Sequence, residues 1–461
     1  MGYMPITDSM FLIAEAREHP MHVGGLQLFR LPDDAGPGFV RDLVAELHED
    51  AEVSPRLRRH PADPVGYLGN TWWATDAEVD LDYHLRHAAV PHPGRIRELF
   101  QLIALWHGSL LDRHRPMWEA NIVEGIEGNR FALHTKIHHS LVDGVGALRL
   151  LEESLSTDPT DMTVRAPWSV PPPARANASA GGALGSATHL LSTAGKTLGT
   201  AMAATPRLLP TSAKVIRHAL GDHGYTTPFE APDTILNGPI GGARRFVAQS
   251  WEIERLREVG RLLGGTLNDV LLAMCASALR DYLIDRNALP DRSLTAMVPV
   301  SLRGGPDDPA ANRVGAIIAS LATDIDDPID RFIAIRRSVQ AAKRVMGDLG
   351  PMEILALSGI NVSALAFANV PGFVRFTRPP FNVIISNVPG PAHKLYWRGA
   401  ELQGIYPTSV VLDGQALNIT TASYDDHIDI GIVGCRRSVP GLQRLIHHLD
   451  DALKELEKAT S

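Results

Sequence analysis

The chain has 461 residues, 44% hydrophobic and 21% charged, values that fit neither a disordered chain nor a spanning bundle and lead us to expect a globular protein of two domains. Its formal net charge of −8 argues against nucleic-acid binding. Cys275 and Cys435, lone and far apart, suggest neither a disulfide framework nor a metal cluster and are expected to be ordinary thiols.

The segment Met1 to Asp8 lacks a basic region followed by an apolar one, so no secretory signal is visible and an intracellular location is expected. The longest apolar-to-small run, Val270 to Leu279, falls short of the roughly 20 residues needed to cross a bilayer, so any membrane contact is expected to be peripheral.

In chain order, the first strong pair of strands is expected over 117–123 and 130–138, around a turn containing Gly125, Gly128 and Asn129. In the second of them Phe131, Leu133, Thr135 and Ile137 alternate with Ala132, His134 and Lys136, as a β-strand requires. The run ends in His138-His139-Ser140-Leu141-Val142-Asp143-Gly144, after which Leu141, Val145, Leu148, Leu151 and Leu155 follow the period of one buried helix face. This motif therefore occupies a strand-turn-helix junction. If the strand continues to its end, His138 and His139 project to opposite faces, and only one of them reaches a given substrate.

A histidine near neutral pH can take a proton from a hydroxyl and return one to a leaving group, with Asp143 placed to orient the pair. The plainer alternative is two core or surface histidines. A His-Glu-x-x-His helix, a Gly-x-Ser-x-Gly elbow and a phosphate loop are all absent from the sequence, so no metal and no bound cofactor is expected.

Between about Ser156 and Gly221 the composition changes, with Pro171-Pro172-Pro173 leading into an Ala, Gly, Ser and Thr-rich tract. From Asp161 to Asp222 no acidic residue intervenes, whereas Arg165, Arg175, Lys196, Arg207, Lys214 and Arg217 are basic. Two readings stand: a flexible crossover between domains, or a basic amphipathic surface for anionic lipid headgroups. Beyond it a long helix is expected over 266–283, with Thr266 and Asn268 as candidate caps, then a strand over 295–300. A further strand is expected over 381–385, turned abruptly at Ser386-Asn387-Val388-Pro389-Gly390-Pro391. A hairpin follows over 418–424 and 428–433, and an amphipathic helix over 442–456.

The stretch His138 to Gly144 resembles the HHxxxDG signature of the CoA-dependent acyltransferase superfamily. Further stretches narrow the resemblance: Asp8-Ser9-Met10-Phe11-Leu12, Pro20-Met21-His22-Val23-Gly24-Gly25 and Arg115-Pro116-Met117-Trp118-Glu119 in the first half, then Leu267-Asn268-Asp269-Val270, Val298-Pro299-Val300-Ser301-Leu302-Arg303 and Ser386 to Pro391. Together they resemble the bacterial wax ester synthase/diacylglycerol acyltransferase family, in particular actinobacterial triacylglycerol synthases. Met117 stands where the family usually has leucine, a volume-conserving swap.

The resemblance implies a mixed α/β fold of two chloramphenicol-acetyltransferase-like domains, 1–157 and 222–461, joined by the basic crossover 158–221, with a channel at their interface. It implies His139 as the general base and His138 as its support. Asp143 becomes a structural residue acting through an arginine, with Arg303 the candidate, and Gly144 relieves crowding where the chain turns. Asn268, with Asp269, is implied to lie near the catalytic centre, against its plainer role as a cap. The implied substrates are acyl-CoA and diacylglycerol or a long-chain alcohol, with no cofactor beyond acyl-CoA as cosubstrate. The implied location is cytoplasmic, peripheral on the inner face of the membrane or on lipid droplets. Two alternatives accompany this reading: a transferase for another hydroxyl or a carrier-bound donor, and a non-catalytic lipid-binding paralogue.

Overall fold

The computed structural model describes residues 2–49, 52–62, 72–170, 225–302, 313–347, 357 and 378–460. Most of the expected crossover, including Arg175, Lys196, Arg207, Lys214 and Arg217, lies outside the described residues, as does Arg303.

The strands in chain order are β1 Gly2–Tyr3, β2 His22–Arg30, β3 Arg59–Pro61, β4 Trp72–Thr75, β5 Leu85–Ala89, β6 Trp118–Ile126, β7 Arg130–His138, β8 Arg244–Glu252, β9 Thr295–Leu302, β10 Arg313–Ser320, β11 Val383–Val388, β12 Tyr396–Trp397, β13 Ala400–Thr408, β14 Leu417–Tyr424 and β15 His427–Cys435. They form two six-stranded sheets, ordered β12-β13-β2-β7-β6-β5 and β10-β9-β11-β14-β15-β8, and a small sheet β1-β4-β3. Both large sheets are mixed: β5 runs parallel to β6, and β11 runs parallel to both β14 and β9.

One feature cuts across the expected division of the chain. Strands β12 and β13 come from its second half but complete the first sheet, with Thr408 opposite Gly24 and Glu401 opposite Arg30. Strand β13 also lies against β14 and β15 of the second sheet. The approach is close, since a Cβ on Gly431 of β15 would stand 2.0 Å from the Pro407 carbonyl oxygen.

The hairpin β6–β7 forms where the alternation predicts it; Gly128 and Asn129 occupy its turn at φ 80° and 56°, whereas Gly125, at φ 77°, sits at a register shift within β6 rather than in the turn. Its alternation also sorts the core. Phe131, Leu133 and Ile137 pack into one apolar cluster with Trp118 and Trp168, while Ala132 joins another with Leu26 and Leu28.

Three boundaries differ from expectation. The strand expected over 381–385 runs on through Ser386 and Asn387, because Ser386, Asn387 and Val388 pair with Thr420, Thr421 and Ala422; the turn waits for Pro389, which has no N–H to donate. The helix after the motif is Gly144–Ser154, so Leu141 is buried in the turn before it and Leu148 is only half-buried. In the helix Leu267–Ile284, Thr266 is the N-cap and Asp269, not Asn268, completes the capping box.

Among the described residues no single helix is long and apolar enough to cross a membrane. Cys275 and Cys435 are both buried free thiols.

Candidate active site

Strand β7 delivers the motif. His138 is its last residue and stands opposite His22 of β2. The His138 N–H donates to the Met117 carbonyl at 2.9 Å, and the His139 N–H donates to the Met21 carbonyl at 2.9 Å. Successive residues thus bond to opposite neighbours, and their side chains diverge as an extended chain requires.

His138 is fully buried. Its Nδ1 accepts from the Ser140 N–H at 3.2 Å and meets the Ser140 hydroxyl at 2.6 Å. An accepting Nδ1 leaves the ring proton on Nε2, which lies 3.5 Å from Glu15 Oε1. The Glu15 side chain is 2% exposed and is held from three sides. The Met21 N–H donates to it at 2.9 Å, and Arg113 donates through Nε at 3.1 Å and Nη2 at 3.0 Å. Burial works to raise the Glu15 pKa, but the His138 ring, the Met21 amide and the Arg113 guanidinium together lower it to about 2. The carboxylate beside the motif histidines is therefore Glu15 rather than Asp143. Nothing in the local sequence around Glu15 announces this role.

His139 lies one residue past the strand, 7% exposed, with its ring stacked on Phe11 at 5.0 Å and 18°. Phe11 belongs to the helix Ile6–Ala14, which ends beside Glu15, so one short helix backs both histidines. Phe11 and Met21 share an apolar cluster with Met297, Ile318, Phe381 and Leu412. His139 thus stands where the two halves of the chain meet.

Asp143 caps the next helix, its Oδ1 accepting from the Gly146 N–H at 2.7 Å. Gly144, the first helical residue, borders a cavity of about 40 Å³ between β2, β13, this helix and the ends of β11 and β14. Asn268 is not brought to the motif by any described contact. Its helix packs against Ile253–Leu262, Pro328–Gly347 and Arg444–Thr460.

Burial makes His22, His107 and His134 a neutral scaffold beside the motif. The His22 Nε2–H donates to the His107 carbonyl at 2.9 Å, and the His107 Nε2–H donates to the Ser409 carbonyl at 3.0 Å, tying the first half to the second. Burial pushes His107 down to about 3, and His22 and His134 well below the ordinary histidine value. Lys136 donates to the Trp106 and Ser109 carbonyls and pairs with Glu119 at 3.2 Å. No group of three or more metal-ligating side chains occurs among the described residues.

Residues 4–271 match the family described as the wax ester synthase/diacylglycerol acyltransferase catalytic domain, and residues 310–457 match its C-terminal domain. The chain is 50% identical over 460 residues to a Mycobacterium tuberculosis protein named as a probable diacylglycerol O-acyltransferase, covering 100% of this chain and 99% of that one. It is 43% identical over 452 residues to the O-acyltransferase WSD of Acinetobacter baylyi, covering 98% of each. The wax ester synthase/diacylglycerol acyltransferase of Marinobacter aquaeolei VT8 shares the fold over the full length of both chains, with a TM-score of 0.79 and 38% identity. The first condensation domain of the calcium-dependent antibiotic synthetase, at 15% identity and a TM-score of 0.57, shares the fold alone. On these grounds the chain belongs to the wax ester synthase/diacylglycerol acyltransferase family of acyl-CoA-dependent acyltransferases.

Proposed function

We propose that this chain transfers a long-chain acyl group from CoA to the free hydroxyl of diacylglycerol, and also to long-chain alcohols, with His139 as general base. The observation that carries the reading is the placement of His139 at the seam of the two halves, beside a partner histidine whose tautomer Ser140 and Glu15 fix. His139 would take the acceptor proton as the hydroxyl oxygen attacks the thioester carbonyl. The new C–O bond replaces the C–S bond, and the imidazolium returns its proton to the departing sulfur. No acyl-enzyme is needed, because a thiolate leaves readily. The buried Cys275, whose thiol burial pushes up to about 12, has no part in it.

The test is CoA-thiol release from palmitoyl-CoA with diacylglycerol or hexadecanol. His139→Ala is expected to lower turnover on the order of 10² to 10⁴-fold while the fold is retained. Turnover unchanged in that variant would remove His139 from the chemistry, and no acceptor-dependent release from the folded parent would remove the reading itself.

The tract bearing Arg207, Lys214 and Arg217 has no acidic residue, which supports peripheral contact with an anionic lipid surface from the cytoplasm. Reversing those three charges should reduce sedimentation with phosphatidylglycerol-containing liposomes; undiminished sedimentation would refute that contact.

A further inference from the structure

The cavity beside Gly144 is bordered by two polar side chains that each carry a buried atom without a partner among the described residues. Gln27 is 3% exposed and Thr408 1% exposed, both line the cavity, and neither Gln27 Oε1 nor Thr408 Oγ1 has a hydrogen-bond partner among the described residues. The rest of the wall is mostly apolar or glycine, with Thr135 and Ser409 the other polar residues, and the Ser409 hydroxyl is paired with Thr420 Oγ1 at 2.8 Å. An unpaired buried amide oxygen or hydroxyl is costly, so two at one cavity mark a place where a polar group from outside is expected.

The backbone is shaped to hold this pair. A Cβ on Gly25 would stand 2.5 Å from Gln27 Nε2, and one on Gly24 would stand 2.8 Å from Thr408 Oγ1. Gly25 thus leaves room for the Gln27 amide, while Gly24 permits first the approach of the Thr135 carbonyl oxygen, 2.0 Å from such a Cβ, and then that of Thr408 Oγ1. Thr408 is opposite Gly24 and Pro407 opposite Gly25 in the β13–β2 register, so the pair spans the strand donated by the second half of the chain. His22, opposite His138, is two residues before Gly24. At about 3.3 Å per residue the glycines lie roughly 7–10 Å along the strand from the level of the motif.

We infer that Gln27 and Thr408 form a specificity subsite for a polar group of the substrate a few bonds from the reacting centre, Gln27 Oε1 accepting from an amide N–H and the Thr408 hydroxyl donating to a carbonyl. The inference rests on the acyltransferase reading above and assigns these residues selection, not bond making. A cavity of about 40 Å³ has room for such a group. The first pantetheine amide of the acyl donor, three bonds from its sulfur, offers both an N–H and a carbonyl, whereas the ester of diacylglycerol, four bonds from its free hydroxyl, offers acceptors only and would engage the Thr408 hydroxyl alone. Hexadecanol has neither group.

Steady-state kinetics of Gln27→Leu and Thr408→Val decide the matter, with palmitoyl-CoA, diacylglycerol and hexadecanol each varied in turn. Loss of one such hydrogen bond is expected to raise one KM on the order of tenfold, with a much smaller change in kcat. A rise for palmitoyl-CoA with either acceptor assigns the subsite to the donor. A rise for diacylglycerol but not hexadecanol assigns it to the acceptor. Unchanged KM for all three, or a kcat loss common to all at constant KM, would overturn the subsite. Melting gives an independent check, since apolar replacement of unpaired groups should leave Tm unchanged or raise it. A lowered Tm with unaltered KM would make the pair core residues and overturn the inference. Failure of the subsite alone would leave the parent's turnover and its need for His139 intact, whereas absence of turnover in the parent would overturn both readings.

Discussion

Glu15 and Asp429 are both buried carboxylates, yet Glu15 is held at about 2 while Asp429 rises to about 6. Burial raises both, so the difference lies in the partners. Glu15 faces a guanidinium and a histidine ring as well as an amide. Asp429 receives neutral donors, the Ser250 hydroxyl at 2.5 Å on Oδ1 and the Ile405 N–H at 2.6 Å on Oδ2, with Tyr406 behind Ser250; these two bonds and His427, at 3.4 Å, oppose burial without overcoming it. The two regions use a buried carboxyl group for different ends. At the motif a fixed negative charge sets the tautomer of His138. At the joint between β13, β8 and β15, a carboxyl group serves as a connector between strands.

Removing the cation should separate the two most sharply. In Arg113→Met the Glu15 carboxylate stays buried without its guanidinium, and the protein is expected to lose about 3 kcal/mol at pH 7, as when one partner of a buried ion pair is deleted. In the parent, the lowered Glu15 pKa means that the native state binds fewer protons than the unfolded one between pH 4.5 and about 2. The stability it contributes is fully present above pH 4.5 and is lost as pH falls through that window. The deficit of Arg113→Met should therefore shrink toward pH 2 in urea titrations. A deficit independent of pH would assign Arg113 to packing and erase the contrast with Asp429.

The sequence made the motif legible because its chemistry is local. Strand parity along Arg130–His138 separates His138 from His139 before any fold is known, and the backbone bonds to Met117 and Met21 follow that parity. The stretches containing Phe11, Met21 and Met117 turn out to surround the histidines, supplying the stacked ring and two backbone acceptors. Glu15 was not legible, since it reaches His138 across 123 positions and sits outside any periodic element. In the sequence Asp143 reads first as an orienting carboxylate and then, through the resemblance, as a structural residue acting through an arginine; a helix-capping role for it, which the structure shows, was not foreseen. Gln27 and Thr408 come together only because β13 crosses into the first sheet, a pairing that no short-range pattern announces.

The joint offers the smaller effect and the opposite sign. Because the Asp429 pKa is raised from 3.8 to about 6, the native state binds more protons than the unfolded one between those values, and stability falls as pH rises through them. Asparagine preserves the geometry, accepting from the Ile405 N–H through its carbonyl and donating its amide to the Ser250 oxygen. Asp429→Asn is therefore expected to abolish the slope between pH 4 and 6 and to exceed the parent at pH 7 by up to about 3 kcal/mol, the equivalent of two pKa units. His427→Gln should steepen the parent's slope, since the imidazole is the charge that opposes burial of Asp429. Urea midpoints at pH 4, 5, 6 and 7 for the three proteins measure this directly. If Asp429→Asn is less stable than the parent at pH 7, Asp429 is an ionised partner like Glu15, and the joint depends on charge after all.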